Sequence, residues 1–325
     1  MTRLTRCSVL LGLSVALALL SACGSSGDSS RAQPGAGTKS ASGDPSTDKL
    51  AQVQARGTLI LFTDPAYEPQ SYAVEGALRK APTKCAANEL TAPEMAGYDA
   101  DTAKRVAKAL GVEPCFVTPS WTEVTAGNWG DRWDLAYGSG AIAADRMQVL
   151  YMTHPYYSTP ANFFVPTDST AQDPADLSGD RVGACAGCTM EDYLRGTLEL
   201  PGPPIEFLVD QPEVVTFDTE VPGLKATANG TVDAFLCSEP VGAEQIAAGL
   251  PLRMLATPAY RSYKTGYADR SSGLSVASFV ARVDKVIQRL HADGTLAALS
   301  RKYFGKDYAT AAGQFDMGAI GQTVE

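Results

Sequence analysis

Short apolar runs alternate with amphipathic segments along most of the chain after residue 50, and this alternation constrains the fold more than any other feature. The run TLILFT at residues 58–63 is typical of a buried strand. Strands that alternate with helices form mostly parallel sheets covered by helices on both faces, so we predict an α/β fold. Further strands are predicted at residues 115–117, 134–137, 162–165, 181–184, 205–209 and 234–236, and helices at residues 102–110, 144–150, 189–200, 219–228, 241–248, 276–290 and 295–304.

The charge balance excludes several kinds of function. Lys and Arg number 27 against 36 Asp and Glu, which gives a formal charge of −9. An acidic chain without a basic stripe is unsuited to nucleic acid, so no nucleic-acid partner is expected. Two histidines leave little for a His-rich metal site, and we expect neither a metal nor a cofactor. No P-loop motif is present, so ATP hydrolysis would belong to a partner.

The first 23 residues have the pattern of an export signal. Arg3 and Arg6 precede an apolar run at residues 8–20, which is shorter than the roughly 20 residues that span a bilayer. Residues 20–23 (LSAC) resemble a bacterial lipobox, which implies cleavage before Cys23 and lipidation of its thiol. Residues 1–22 are then a lipoprotein signal peptide. The alternative is an ordinary secreted protein.

Residues 23–49 are predicted to be the lipidated Cys23 followed by a flexible tether. Between residues 24 and 48 the chain has no Leu, Ile, Val, Met or aromatic residue, so it cannot bury enough apolar surface to fold. The expected location is the outer face of the cytoplasmic membrane, where the lipid holds the body outside the cell.

The cysteines are consistent with export. Five of the seven would remain unmodified in the body, and cysteines outside the cytosol usually pair. Cys185 and Cys188 have a spacing that, on a turn entering a helix, places their Cα atoms within disulfide range. Cys85 and Cys115 form the second predicted bridge. Cys237 is then free or competes for Cys188.

Five stretches carry a resemblance to one protein family, in that family's order. Residues 97–107 (GYDADTAKRVA) are similar to its G-F-D-x-D-x-A helix, and residues 293–305 (DGTLAALSRKYFG) are similar to its D-G-T-L tail. The other three similar stretches are residues 57–69, 134–157 and 181–189. Over residues 50–308 the chain therefore resembles the family 3 solute-binding proteins of bacterial ABC importers, the polar amino-acid type.

The resemblance implies a periplasmic-binding-protein-like type II fold, in which two α/β lobes are joined by two crossover hinge strands. Lobe 1 would comprise residues 50–157 plus 257–308, lobe 2 residues 158–256, and residues 309–325 a C-terminal tail. Residues 73–96, which include Cys85, would be an insertion in lobe 1. A monomer is expected.

The resemblance also implies a ligand cleft between the lobes. Arg146 falls on the family's carboxylate-binding arginine, and an arginine fork stays charged when buried. A surface helix charge is the alternative for Arg146, and core packing is the alternative for Trp121. The other implied ligand-binding residues are Asp64 in the first loop, Tyr67 and Trp121 as aromatic walls, Tyr137, Ser139, and Cys188 and Thr189 at a helix start.

The chain departs from the family pattern at one position. Amino-acid binders carry an acid near the end of a lobe 2 strand, in a pattern like D-A-x-x-x-D, which pairs with the α-ammonium of the ligand. Residues 233–238 (DAFLCS) place Ser238 there, and Glu239 follows. Either Glu239 or another acid takes the role, or the ligand lacks a primary amine. A betaine caged by Tyr67, Tyr137 and Trp121 is the second possibility.

The implied function is that of a non-enzymatic binding protein. It would capture a small polar solute, an amino acid or a related carboxylate, and deliver it to a membrane permease that works with a separate ATPase. Two alternatives remain open. One is a dehydratase-like enzyme of the same fold, with Glu239 or Asp64 as the acid. The other is a ligand-sensing lipoprotein that uses the same site.

Overall fold

The computed structural model describes residues 43–325. The predicted signal peptide, the lipidation site Cys23 and the tether up to residue 42 lie outside the described residues. Within the described part of the chain, no helix is long and apolar enough to cross a membrane.

The strands are β1 (Thr58–Phe62), β2 (Ala66–Tyr67), β3 (Ser71–Ala73), β4 (Leu90–Thr91), β5 (Met95–Ala96), β6 (Glu113–Val117), β7 (Leu135–Ala141), β8 (Leu150–Met152), β9 (Tyr157–Pro166), β10 (Arg181–Cys185), β11 (Glu213–Phe217), β12 (Ala234–Ser238), β13 (Leu252–Met254) and β14 (Tyr260–Asp269). The helices are α1 (Lys49–Arg56), α2 (Tyr98–Leu110), α3 (Trp121–Thr125), α4 (Thr189–Leu194), α5 (Glu220–Ala228), α6 (Glu239–Ala247), α7 (Ala277–Ala292) and α8 (Thr295–Phe304).

Eleven strands form one sheet that runs through both lobes. Its main path is β11-β10-β12-β9-β14-β7-β1-β6-β4, with β13 attached to β9 and β8 to β14. Strand β1 is parallel to β6 and β7, and β10 is parallel to β11 and β12. The long strands β9 and β14 are antiparallel to each other and lie between these two parallel groups. They therefore occupy the place of the two predicted hinge strands.

Each parallel group has its own apolar core. One buried cluster includes Leu59, Val106 and Phe279, and its members come from residues 53–157 and 268–309. Another includes Val182 and Leu236, and its members come from residues 161–260. The structure thus has the predicted two-lobed α/β organisation. The predicted lobe boundaries coincide with the first residue of β9 and a point three residues before β14.

The packed body extends beyond both ends of the predicted lobes. Asp48 caps α1 by accepting a hydrogen bond from the Ala51 amide at 2.8 Å. Lys49 is buried and its ammonium lies 3.0 Å from the Asp134 carboxylate, so these residues belong to lobe 1 rather than to a tether. In the predicted tail, the Gln322 side chain hydrogen-bonds both backbone groups of Met152. The tail therefore also packs on lobe 1.

Several predicted elements differ from the structure. Residues 205–209 do not form a strand, because the Tyr193 hydroxyl, rather than a neighbouring strand, bonds the Glu206 carbonyl at 3.1 Å and the Leu208 amide at 2.8 Å. The helix predicted at residues 189–200 ends at Leu194. The helix predicted near residues 144–150 is a single 3-10 turn, Arg146–Gln148, followed at once by β8.

Two disulfides constrain the chain. Cys85 and Cys115 join the predicted insertion to β6, with Cα atoms 5.4 Å apart. The insertion is also held by Arg79, which donates to three of its backbone carbonyls. Cys185 and Cys188 form the second bridge, between the end of β10 and the start of α4. Cys237 is a buried free thiol.

Candidate functional site

A cavity of about 390 Å³ lies between the two lobes. Such a volume suits a small solute. Its wall comes from lobe 1, from lobe 2 and from the hinge strand β14. The predicted site residues in this wall are Asp64, Tyr67, Trp121, Ser139, Arg146, Cys188 and Thr189.

Arg146 is a buried residue of the cavity and not a surface helix charge. It is 2% exposed and begins the 3-10 turn after β7. Its Nη1 donates to the Tyr267 hydroxyl at 3.0 Å, and its Nη2 donates to the Gly187 carbonyl at 2.9 Å. Its Nε is buried without a partner among the described residues. The guanidinium is thus held in place by neutral groups and retains capacity for an anion.

Trp121 forms an aromatic wall beside this arginine. The Arg146 guanidinium carbon lies 5.6 Å from the centre of the indole ring. The indole Nε1 donates to the Gly187 carbonyl at 3.2 Å, so two lobe 1 side chains share one acceptor of lobe 2. Trp121 therefore contributes both to the wall and to the contact between the lobes.

The lobe 2 wall beside Gly187 is the start of α4. Thr189 is 2% exposed, and its hydroxyl accepts a hydrogen bond from the Tyr260 hydroxyl at 2.9 Å. Cys188 precedes it and enters the wall as half of a disulfide with Cys185. This bridge fixes the loop that presents Thr189 to the cavity.

Ser139 belongs to a buried network of lobe 1. Its hydroxyl donates to Asp99 at 2.6 Å and accepts from the Tyr157 hydroxyl at 2.5 Å. The Tyr156 hydroxyl donates to the other Asp99 oxygen at 3.0 Å. Burial raises the pKa of Asp99 to about 7, and the hydrogen bonds from Ser139 and Tyr156 oppose that rise. Asp99 lies in the first turn of α2, whose N-terminal cap is Gly97.

In the first loop, Asp64 and Tyr67 line the cavity. The Asp64 carboxylate accepts a hydrogen bond from the Ala66 amide at 2.8 Å, and burial raises the pKa of Asp64. Tyr67 lies on β2 and packs against an apolar cluster of lobe 2 that includes Phe164. This loop of lobe 1 therefore reaches across to lobe 2.

Three predicted ligand residues lie outside the cavity wall. Tyr137 packs in the lobe 1 core, with its ring centre 4.9 Å from that of Tyr156, so the proposed cage of three aromatic rings does not form. Glu239 forms an ion pair with Lys306, whose side chain is 64% exposed, away from the cavity. Ser238 is 1% exposed and does not reach the wall.

Glu220 lines the cavity next to Ser238 and was missed by sequence reasoning. It begins α5, is 3% exposed, and accepts a hydrogen bond from the Ser238 amide at 3.4 Å. Its Oε2 is buried without a partner in residues 43–325. Burial raises the pKa of Glu220, and the charge of Lys264 opposes the rise. A carboxylate therefore lies close to Ser238, the position at which the family pattern has an acid and this chain does not.

The second missed residue is Lys264 on β14. It lines the cavity and is 3% exposed. Burial lowers the pKa of Lys264, and the charge of Glu220 opposes this. The cavity thus brings together buried charges of both signs: Arg146 and Lys264 against Glu220, with Asp64 and Asp218 also in the wall.

This arrangement is complementary to a dipolar solute. A carboxylate fits Arg146 and Thr189, because the arginine has a donor that no described residue uses and both residues face the same cavity. An ammonium fits Glu220, whose Oε2 lacks a partner in the described part of the chain. Since Arg146 belongs to lobe 1 and Glu220 to lobe 2, a solute with both groups would bridge the lobes.

Comparisons with known proteins agree with this fold. The L-cystine-binding protein TcyJ of Escherichia coli is 24% identical over 260 residues, which cover 79% of this chain and 86% of TcyJ. The crystal structure of AbpA from Streptococcus pneumoniae bound to L-arginine matches with a TM-score of 0.63 at 22% identity, over 82% of this chain and 99% of AbpA.

A further structural match bears on the enzyme alternative. The ancestral amino acid-binding protein AncCDT-1, a precursor of cyclohexadienyl dehydratase, matches with a TM-score of 0.61 at 21% identity, over 78% of this chain and 98% of AncCDT-1. These likenesses confirm the predicted type II periplasmic-binding-protein fold. Residues 80–306 match the sequence family of bacterial extracellular solute-binding proteins, family 3, and the chain belongs to that family.

Proposed function

We propose that the chain captures an α-amino acid outside the cytoplasmic membrane and delivers it to an ABC permease that works with a separate ATPase. One observation carries the assignment. Arg146 of lobe 1 and Glu220 of lobe 2 are both buried in one cavity, and each has a side-chain atom without a partner among the described residues. The relative named for L-cystine and the structural neighbour bound to L-arginine support the same ligand class.

The assignment resolves the missing acid of the sequence pattern. Glu220 touches the Ser238 amide, so it supplies a carboxylate beside the position where the family carries one. We infer that the α-ammonium binds Glu220 and the α-carboxylate binds Arg146 and Thr189. A betaine would leave Glu220 without a hydrogen-bond donor and does not find the cage it needs.

Capture follows from the division of these groups between two lobes. A solute bound to Arg146 alone gains only part of its contacts, whereas the closed form adds those of Glu220 and Thr189. Because the solute interacts more strongly with the closed form, it shifts the hinge equilibrium toward closure. The closed form would dock on the permease, and the lipid on Cys23 would keep the monomeric protein at the membrane surface.

Calorimetric titration of the full chain, purified in mild detergent, tests the ligand class. We expect at least one L-α-amino acid to bind, and Arg146→Met to weaken that binding at least 30-fold, because truncating a buried charged partner costs about 2–5 kcal/mol. Arg301→Met is the matched control, since Arg301 lies on α8, pairs with Asp307 and has a side chain that is 57% exposed.

Two results would contradict the proposal. One is a panel in which betaines bind and no primary α-amino acid does. The other is equal affinity in wild type and Arg146→Met. Turnover of prephenate or arogenate by the wild-type protein would favour the dehydratase alternative instead. A ligand-dependent membrane partner that is not a permease would favour the sensor.

A further inference from the structure

Lys264 differs from the other buried lysine of the described chain. Lys49 is also buried, but its ammonium lies 3.0 Å from Asp134 and donates to Gln52 at 3.0 Å. The Lys264 ammonium makes no hydrogen bond or ion pair with any residue in the range 43–325, although the residue is only 3% exposed. Glu220 is near enough to influence its pKa but not to form an ion pair with it.

The backbone of Lys264 is fixed at the hinge. It lies in the middle of β14, opposite Tyr157 on β9 and Ala141 on β7. Because strands on both sides hold this position, the residue cannot move away from the cavity without disrupting the sheet. An ammonium that has no protein partner and little access to water is poorly solvated, so an acceptor that enters the cavity would stabilise it.

A solute can supply the missing partner. A lysine ammonium has three donors and no acceptor, so it requires an oxygen acceptor from the solute. The proposed function already assigns the α-carboxylate to Arg146 and Thr189 and the α-ammonium to Glu220. The acceptor that this assignment leaves for Lys264 is an oxygen in the remainder of the solute, at the end of its side chain.

The same charge acts against a cationic side chain. Two like charges at contact distance in a site with little water repel each other strongly. The acids that could offset this are Asp64 and Asp218 in the wall and Asp99 behind Ser139. Asp64 already accepts a bond from its own loop, and Asp99 is bound by Ser139 and Tyr156.

We propose that Lys264 is a specificity-determining residue that selects amino acids whose side chain ends in a carbonyl oxygen, as a carboxylate or a carboxamide. This inference depends on the proposed function. A Lys264 with this role would favour a terminal carboxylate or carboxamide and disfavour a cationic side chain.

Calorimetric titration of the full chain with L-glutamate, L-glutamine and L-ornithine tests the preference. These probes have similar length and differ in the terminal group. We expect glutamate or glutamine to bind at least tenfold more tightly than ornithine, and their order distinguishes carboxylate from carboxamide. Lys264→Met should abolish the preference by weakening the favoured ligand at least tenfold without weakening ornithine. Lys80→Met is the control, because the Lys80 side chain is 53% exposed and lies in the insertion.

The outcomes separate this inference from the proposed function. Ornithine binding as tightly as glutamate and glutamine, and still lost in Arg146→Met, would refute the role of Lys264 and leave the proposed function intact. An equal loss of all three ligands in Lys264→Met would also refute it. The wild-type ranking needs no variant, so it decides the question even if Lys264→Met does not fold. Absence of binding by any α-amino acid would refute both proposals.

Discussion

Replacing Glu220 by glutamine tests the most specific feature of the proposed site. The substitution keeps the size and most hydrogen-bonding capacity of the side chain but removes its charge. If Glu220 holds the α-ammonium, affinity for the α-amino acid must fall. The fold should persist, because the Ser238 amide can still donate to the amide oxygen of the new side chain.

The magnitude follows from the surroundings of the carboxylate. Glu220 is 3% exposed, and its Oε2 has no partner within the described residues, so a bound ammonium would be its main contact. A hydrogen bond to a charged group contributes about 1.5–3 kcal/mol, and two unit charges 4 Å apart attract by about 4 kcal/mol at an effective dielectric constant of 20. We therefore expect a loss of about 2–4 kcal/mol, which is roughly 30- to 1,000-fold in Kd.

Glu239→Gln provides a matched control on the same protein. From the sequence, Glu239 was one candidate for this role, but the structure pairs it with the exposed Lys306 outside the cavity. Isothermal titration of wild type and both variants with the best-binding amino acid should show the large loss only in Glu220→Gln. Circular dichroism and the unliganded melting temperature establish that both variants are folded.

Three patterns would refute the reasoning. Unchanged affinity in Glu220→Gln would remove the assigned ammonium site. A large loss in Glu239→Gln alone would show that the residue following Ser238 takes the role. An equal loss in both would indicate a general effect on the lobe 2 fold.

Two further predictions concern stability. Burial raises the pKa of Asp99 to about 7 from 3.8, so the folded protein binds more protons than the unfolded chain between pH 4 and 7, and the contribution of Asp99 to stability falls as pH rises through that range. Asp99→Asn should make the free energy of unfolding fall less with pH, by up to about 1.4 kcal/mol per pH unit. Urea unfolding of wild type and variant at pH 5 and 7 measures this difference. An equal change between the two pH values in both proteins would contradict the prediction. Replacing Cys85 and Cys115 together by serine should lower the free energy of unfolding by about 3.6 kcal/mol, since the bridge spans 30 residues, and no loss in urea unfolding would show that Arg79 and the sheet hold the insertion unaided.

The sequence predicted the two-lobed fold and part of the site, because the motifs lie in backbone segments that form the cavity wall. Thr189 follows a tight loop at the start of a helix, and Arg146 follows a strand, so short local patterns fix their positions. The periodicity of α7 and α8 and the glycine that ends α2 were equally local signals. Such signals do not depend on knowledge of the opposite lobe.

The residues that were missed depend on contacts across the fold. An acid in the first turn of a helix usually marks a solvated end that complements the helix dipole, so Glu220 carried no distinct signal. Only the pairing of β12 with its neighbours brings Ser238 against it. Lys264 lies on β14, which was not among the predicted strands, and only the pairing of β14 with β7 and β9 places this residue inside the sheet and beside the cavity. Tyr137 was misplaced for the same reason, since strand alternation turns it into the lobe 1 core.

The shared carbonyl of Gly187 has a consequence for how tightly any solute can bind. Arg146 and Trp121 already donate to this oxygen, so an arriving carboxylate can use the Arg146 Nε but competes with the Gly187 carbonyl for Nη2. The contribution of Nη2 to the affinity is then the difference between two hydrogen bonds of the same group. Because the competing oxygen belongs to the backbone, no side-chain replacement at position 187 deletes it. Natural variation can change this competition only by replacing Arg146 or Trp121. Such a replacement changes the affinity for the solute and, at the same time, the contact between the lobes in the unliganded protein.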